Sequence, residues 1–376
     1  MRFWTAAALF HLTLLAVCGS ILRRWWKRAA SEPALRLGAR ALGDGGLFLG
    51  AAILLAALCT LVDPLSGFTT LRLISQALFA EGVLLAAAIT GVLWVHRRRG
   101  LAAAGGALVL GLLAVYVDAY HLEPRQLQVR THAVDLTRSP ARGRLRLLHI
   151  SDIQADRITD HEERVVSRAR ELAPDLVLLT GDYIQPRLGS SRVQARRDLQ
   201  ALLRHSALRA PLGVFAVRGD VDVDWPQVLE GSGASLLSGT TARVALPEGR
   251  WLTLVGLTPG MSRGWDVAGL QALLAGAPAE DLRIALGHSP DFVIPLAGSQ
   301  LVDLAVAGHT HGGQVTLPFF GAPYTKSRLP RLFASGLHEY GGIPLHVSAG
   351  VGMERGTAPQ IRFLCPPEIC LLEIAY

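Results

Sequence analysis

Four long apolar runs dominate the first third of the chain, at approximately 3–22, 47–62, 73–95 and 101–120. Each approaches the roughly 20 residues that a helix needs to cross a bilayer, so each predicts a membrane span. Beyond Pro124 the pattern changes to short apolar runs separated by turn residues. Segments 144–150 (RLRLLHI), 176–179, 213–217, 251–257, 282–286, 301–307, 345–348 and 369–374 read as strands. Thr159 and Glu162 form a capping box that opens a helix through Leu172, and 193–205 reads as a second helix. Strands alternating with helices predict an α/β fold. The chain therefore divides into a transmembrane module, residues 1–124, and an α/β domain, residues 125–376.

Charge sharpens this division. The chain of 376 residues carries a net +7, of which +6 belongs to residues 1–120. The larger part has no basic excess to offer a phosphate backbone, which excludes nucleic acid as a partner. Trp25-Trp26, flanked by Arg23, Arg24, Lys27 and Arg28, reads as an interfacial anchor, so the first run is a retained helix rather than a cleaved signal. The linkers after the first and third runs also hold Arg36, Arg40, Arg97, Arg98 and Arg99. The opposite side holds Arg2, Arg72, Arg125, Arg130 and Arg138. Nine basic residues against five place the two linkers in the cytoplasm. The chain then reads as a multi-pass inner-membrane protein with its α/β domain extracytoplasmic.

Glu81, inside the third run, is either a functional intramembrane acid or a polar group turned toward the other helices. Cys365 and Cys370 are either a disulfide, if that end lies outside the cytosol, or two free thiols.

The chemistry gathers where the strands end. The chain leaves them at Ser151-Asp152-Ile153-Gln154, Thr180-Gly181-Asp182, Arg218-Gly219-Asp220-Val221-Asp222, Gly287-His288 and Gly308-His309-Thr310-His311. Ligand sites of open α/β sheets lie at the carboxyl ends of strands. One Asp after a strand is ordinary turn chemistry. Five strand ends that each deliver Asp or His beside a Gly or Ser predict a shared metal site. Mixed carboxylate and imidazole donors suit Zn, Mn or Fe. Two such ions can clamp a phosphoryl group and supply a hydroxide nucleophile near neutral pH.

This series resembles the calcineurin-like metallophosphoesterases, whose pattern is Asp-x-His, Gly-Asp, Gly-Asn-His-Asp/Glu, a lone His, then Gly-His-x-His. The run Gly308-His309-Thr310-His311-Gly312-Gly313-Gln314 and the later Pro366-Pro367-Glu368-Ile369 are similar to the membrane-tethered branch of that family. The resemblance implies a four-layer αββα sandwich and two divalent ions (Mn, Zn, Fe or Mg). It implies that Asp152, Gln154 and His311 hold the first, that Asp220, His288 and His309 hold the second, and that Asp182 bridges them. Asp182, Asp220 and His288 would then be the catalytic set.

Three positions depart from the pattern. Gln154 replaces a His, and Asp220 replaces an Asn, a change toward oxygen donors and toward Mn or Mg in the first site. Val221 replaces the His that meets the phosphoryl group, and Asp222, Asp224, His161 and His205 are its possible substitutes. The resemblance implies a membrane-anchored hydrolase of a phosphodiester or pyrophosphate bond, with a phospholipid or lipid-linked phosphoester as substrate. UDP-2,3-diacylglucosamine hydrolysis in lipid A synthesis is one family activity; that substrate is cytoplasmic, in conflict with the orientation above. The alternative is a catalytically impaired metal-binding sensor or scaffold on a membrane protein.

Overall fold

The computed structural model describes residues 2–62, 67–136, 143–187, 189–206 and 208–376. Arg138 lies outside them. The chain separates into two compact units, Met1–His121 with Thr357–Gln360, and Leu122–Gly356 with Ile361–Tyr376.

The first unit consists of helices α1 (Arg2–Arg28), α2 (Ala34–Val62), α3 (Gly67–Val95) and α4 (Arg99–Val117). All four are long and apolar enough to span a membrane. Phe10, Leu14, Ile21 and Trp25 pack against Ala52, Ala56, Leu73 and Leu93. Alanines at these crossings let the helix backbones approach, the usual basis of packing where no water drives association. Leucines such as Leu12, Leu54, Leu84 and Leu110 face outward, as a lipid-facing surface requires. Helix α2 starts well ahead of its apolar run, because Asp44 within that lead accepts from Arg24 at 3.0 Å and from Trp25 Nε1 at 2.9 Å. A π-helical turn at Leu78–Gly82 carries Glu81, which is buried and lies 2.6 Å from His11 Nδ1. Glu81 is thus a polar group paired between helices.

The second unit begins with strands β1 (Gln128–Asp135) and β2 (Arg144–Ile150), helix α5 (Asp160–Glu171), strand β3 (Leu176–Leu179) and helix α6 (Arg192–Ser206). Strand β4 (Val214–Ala216), helix α7 (Trp225–Leu229) and strands β5 (Ser235–Leu236), β6 (Thr240–Ala245) and β7 (Trp251–Gly256) follow. After helices α8 (Pro259–Ser262) and α9 (Val267–Ala275) come β8 (Leu282–Leu286), β9 (Leu304–Ala307), β10 (Gly336–Tyr340), β11 (Ile343–Val347) and β12 (Glu368–Ala375).

Two six-stranded mixed sheets result, ordered β1-β12-β2-β3-β4-β5 and β10-β11-β9-β8-β7-β6. The central strands are apolar on both faces because both are covered, as parallel strands demand. In β3, Leu176 and Leu178 face the other sheet while Val177 and Leu179 face helices α5 and α6. Beyond the second sheet lie α9 and a 3-10 turn, Pro290–Leu296. Four layers stack in the order helix, sheet, sheet, helix. The expected helix at 159–172 forms with its capping box complete.

Cys365 and Cys370 are both buried free thiols, which corrects the disulfide alternative. Cys370 packs into the seam between the sheets, whereas Cys365 Sγ meets the His311 carbonyl at 3.3 Å.

Candidate metal centre

Strands β2, β3, β4, β8 and β9 end at one rim and release the chain into tight loops. Five residues there adopt left-handed backbone: Asp152 (φ 52°), Gln154 (41°), Asp182 (56°), His309 (71°) and His311 (52°). For non-glycine residues such conformations cost on the order of 1–3 kcal/mol each and persist where neighbours enforce them. Here main-chain hydrogen bonds do so, from Asp152 N to Gly181 O at 3.0 Å and from Gln154 N to Asp182 O at 2.8 Å. Asp182 N donates to Asp222 Oδ2 at 2.7 Å. Gly219 and Gly308 are required by close approach. A Cβ on Gly219 would collide with Asp182, and one on Gly308 would collide with Ser151 and Asp152.

The loops bring all seven sequence-derived residues together. Asp152 Oδ1 lies 3.4 Å from His311 Nε2, and Gln154 Nε2 lies 3.4 Å from Asp182 Oδ2. His288 Nε2 is central, at 3.3 Å from Asp182 Oδ2, 3.5 Å from Asp220 Oδ1 and 3.1 Å from His309 Nδ1. Two groups of donors lie within 4.8 Å of one another, Asp152–Asp182–His288 and Asp220–His288–His309. His288 is common to the two groups. Its other nitrogen, Nδ1, is fixed by the Thr180 carbonyl at 2.8 Å, a typical way of orienting a ligating imidazole.

Electrostatics follows from crowding. Burial pushes the Asp152 carboxyl up to about 7. Burial would also raise Asp220, but the hydrogen bond and charge of His288 outweigh it and hold Asp220 well below the usual carboxylate range. Burial alone would lower His288, yet the carboxylates around it, Asp182 first, raise it well above its ordinary value. Burial lowers His309 and His311, which leaves both neutral with lone pairs available.

The donors fit divalent cations. Gln154 Oε1, Asp220 Oδ1, His309 Nε2 and both ring nitrogens of His311 are buried without a hydrogen-bond partner among the described residues. Buried polar atoms are rarely left so, and an oxygen-and-imidazole set of this kind suits Mn, Fe or Zn.

The substitutes considered for the missing His do not serve. Asp222 is buried and accepts from the main-chain nitrogens of Asp182, Tyr183 and Gly219 at 2.7–2.8 Å, so it is a scaffold between loops. Asp224 pairs with Arg192 at 3.1 Å. His161 Nε2 is held by the Val351 carbonyl at 3.0 Å, and His205 Nδ1 by the Ala201 carbonyl of its own helix at 2.7 Å.

Two arginines escaped the sequence reading. The Arg263 guanidinium, at the end of α8, pairs with Asp220. Arg362 is fully buried and donates to the carbonyls of Ala349, Gly350, Gly352 and Cys365, which shapes the loop behind the site. Neither lies near a strand end in sequence, and only the capping signal at Thr258-Pro259 hints at Arg263.

The four-layer domain gathers its buried Asp and His donors at the carboxyl ends of the strands. Residues 145–313 match the calcineurin-like phosphoesterase family model, and the chain carries a calcineurin-like domain. It is 25% identical over 297 residues to "Phosphodiesterase YaeI" of Escherichia coli (strain K12), spanning 74% of this chain and 99% of that protein. It is 27% identical over 269 residues to the "Transmembrane protein with metallophosphoesterase domain" of Danio rerio, spanning 64% and 59%. It is 25% identical over 336 residues to "UDP-2,3-diacylglucosamine pyrophosphatase LpxG" of Chlamydia trachomatis, spanning 74% and 98%. The protein is a phosphoester hydrolase whose four N-terminal helices are long and apolar enough to cross a membrane.

Proposed function

We propose that this protein is a membrane-anchored hydrolase, dependent on two divalent ions, that cleaves a phosphodiester or pyrophosphate bond in a lipid-linked substrate. The observation that carries the reading is the pair of donor groups that share His288, together with the unpartnered buried donor atoms of Gln154, Asp220, His309 and His311. Asp152, Gln154 and His311 would hold one ion, and Asp220, His288 and His309 the other, with Asp182 between them. When bound, such ions polarise phosphoryl oxygens and acidify the attacking water.

The chain's own residues do the rest. Val221 N donates to Asp182 Oδ1 at 3.1 Å and fixes that carboxylate. The Arg263 guanidinium, beside Asp220, would be a side-chain cation able to meet phosphoryl charge as it develops. No imidazole stands at position 221 to protonate a leaving oxygen, so the site favours groups that leave as stable anions. A phosphate leaving from a pyrophosphate bond is such a group. The UDP-2,3-diacylglucosamine pyrophosphatase relative, whose name specifies a lipid-linked pyrophosphate, supports the same substrate class.

The test is hydrolysis of bis(p-nitrophenyl) phosphate and of a pyrophosphate diester by the full-length protein with Mn or Zn, wild type beside Asp182→Asn. Turnover should vanish in the variant, and a variant with full turnover would sink the mechanism. The second reading, a metal-binding sensor or scaffold, draws on Gln154 and Val221. It predicts bound ions without turnover of either substrate.

A further inference from the structure

The seam between the sheets is lined along most of its length by apolar side chains such as Leu147, Leu178, Leu254 and Ile284. Toward β1 and β12 this lining is interrupted by polar groups that the phosphoesterase site does not use. In the strand register Cys370 of β12 lies opposite His149 of β2 and opposite Arg130 of β1, two residues before His132. Strand alternation therefore puts His132, Cys370 and His149 on one face. His346 of β11 meets them from the other sheet, its ring centroid 5.6 Å from that of His132 and 5.0 Å from that of His149. His346 and Cys370 are 0% exposed. His132 is half-buried on the edge strand.

One donor atom from each of His132, His346 and Cys370 lies within 4.8 Å of the other two. The hydrogen bonds behind them select a tautomer. His346 Nδ1 meets His149 Nδ1 at 2.8 Å, and His149 Nε2 meets Thr180 Oγ1 at 2.8 Å. With His149 donating to Thr180 and accepting from His346 Nδ1–H, His346 Nε2 is left as a bare lone pair. The opposite arrangement would bury an N–H at His346 Nε2 with nothing to accept it. His346 Nε2 and His132 Nε2 both lack a hydrogen-bond partner among the described residues.

We propose that His132, His346 and Cys370 form a second metal site, separate from the phosphoesterase centre, for a thiophilic ion of the Zn²⁺ class. Three protein ligands leave a fourth position for water or another small donor. Two imidazoles and a thiolate favour such an ion over Mg²⁺ or Ca²⁺. The Cys370 thiol proton is released to solvent as the ion enters. His149 orients the His346 ring from behind, and Thr180 anchors His149, the outer-shell support usual for a ligating imidazole.

Co²⁺ titrated into the metal-stripped full-length protein in detergent distinguishes the two centres. A thiolate ligand gives a sulfur-to-cobalt charge-transfer band in the near ultraviolet, and the phosphoesterase ligands include no sulfur. The band should accompany the visible ligand-field absorption and disappear in Cys370→Ser. It should need at least about tenfold more Co²⁺ in His132→Ala, and survive both Cys365→Ser and Asp182→Asn. His132 sits at the edge of the sheet, so its variant tests ligation without emptying the core. Ligand-field absorption with no thiolate band overturns the site. So does a band that follows Cys365 instead of Cys370, or one indifferent to His132→Ala.

Discussion

Where the family places an imidazole beside the phosphoryl group, Val221 offers only methyl groups, and its main-chain nitrogen orients Asp182. General-acid assistance is typically worth about 10²–10⁴ in rate, and its loss weighs most on poor leaving groups. Across a series of aryl phosphodiesters the wild-type rate should therefore climb steeply with leaving-group acidity. Val221→His should flatten that slope and raise the slowest rates by roughly 10². If Arg263 meets the phosphoryl oxygens as proposed, Arg263→Ala should lower kcat/KM by about 10²–10³ at all leaving groups alike. A shallow wild-type slope would show that a proton reaches the leaving oxygen by another route.

At the scale of elements, the hydrophobic code was clearest where burial is two-sided. The runs LVLL of β3, LRIAL of β8 and LAVA of β9 are apolar because helices cover one face and the other sheet covers the opposite face. Edge strands were not legible. β1 (QVRTHAVD) is largely exposed, carries no apolar run that would announce a strand, and is held by parallel pairing with β12. The order of Asp and His at the strand ends was legible because turn geometry fixes them locally. Arg263, Arg362 and the scaffold role of Asp222 depend on contacts between loops distant in sequence.

His161, in the first turn of α5, joins that helix to the Val351 carbonyl at 3.0 Å, and burial lowers its pKa from 6.5. The unfolded chain then takes up the proton before the folded one. The contribution of this group to stability is therefore complete above pH 6.5 and is lost as pH falls below it. The difference in unfolding midpoint between wild type and His161→Gln should be constant from pH 7 to 8 and narrow on acidification. The limiting slope is about 1.4 kcal/mol per pH unit. A difference that holds steady down to pH 5 would mean that the folded and unfolded states protonate His161 alike.

For the molecule as a whole, the side of the membrane and the substrate are one question. Within the helical unit the two basic linkers lie at the same end, because Arg98 donates to the carbonyls of Ala29 at 3.0 Å and of Glu32 at 2.8 Å. The charge rule counts Lys and Arg rather than net charge, so the nearby Glu32 and Asp44 do not weaken this end as a cytoplasmic face. On this count we propose that the α/β domain faces outward. In that orientation its proposed substrates would be lipid-linked phosphodiesters and pyrophosphates of the outer leaflet, whereas a nucleotide-linked lipid such as UDP-2,3-diacylglucosamine would be met in the cytoplasm. Alkaline phosphatase fused after Tyr376 should be active and a green fluorescent protein at the same point dark. Reducing the positive excess of the linkers by replacing Arg97, Arg98 and Arg99 with Ser should shift part of the population to the reverse pattern. A fluorescent fusion beside a silent phosphatase in the unmodified protein would place the metal centre in the cytoplasm, and nucleotide-linked lipids would become the substrates to test first.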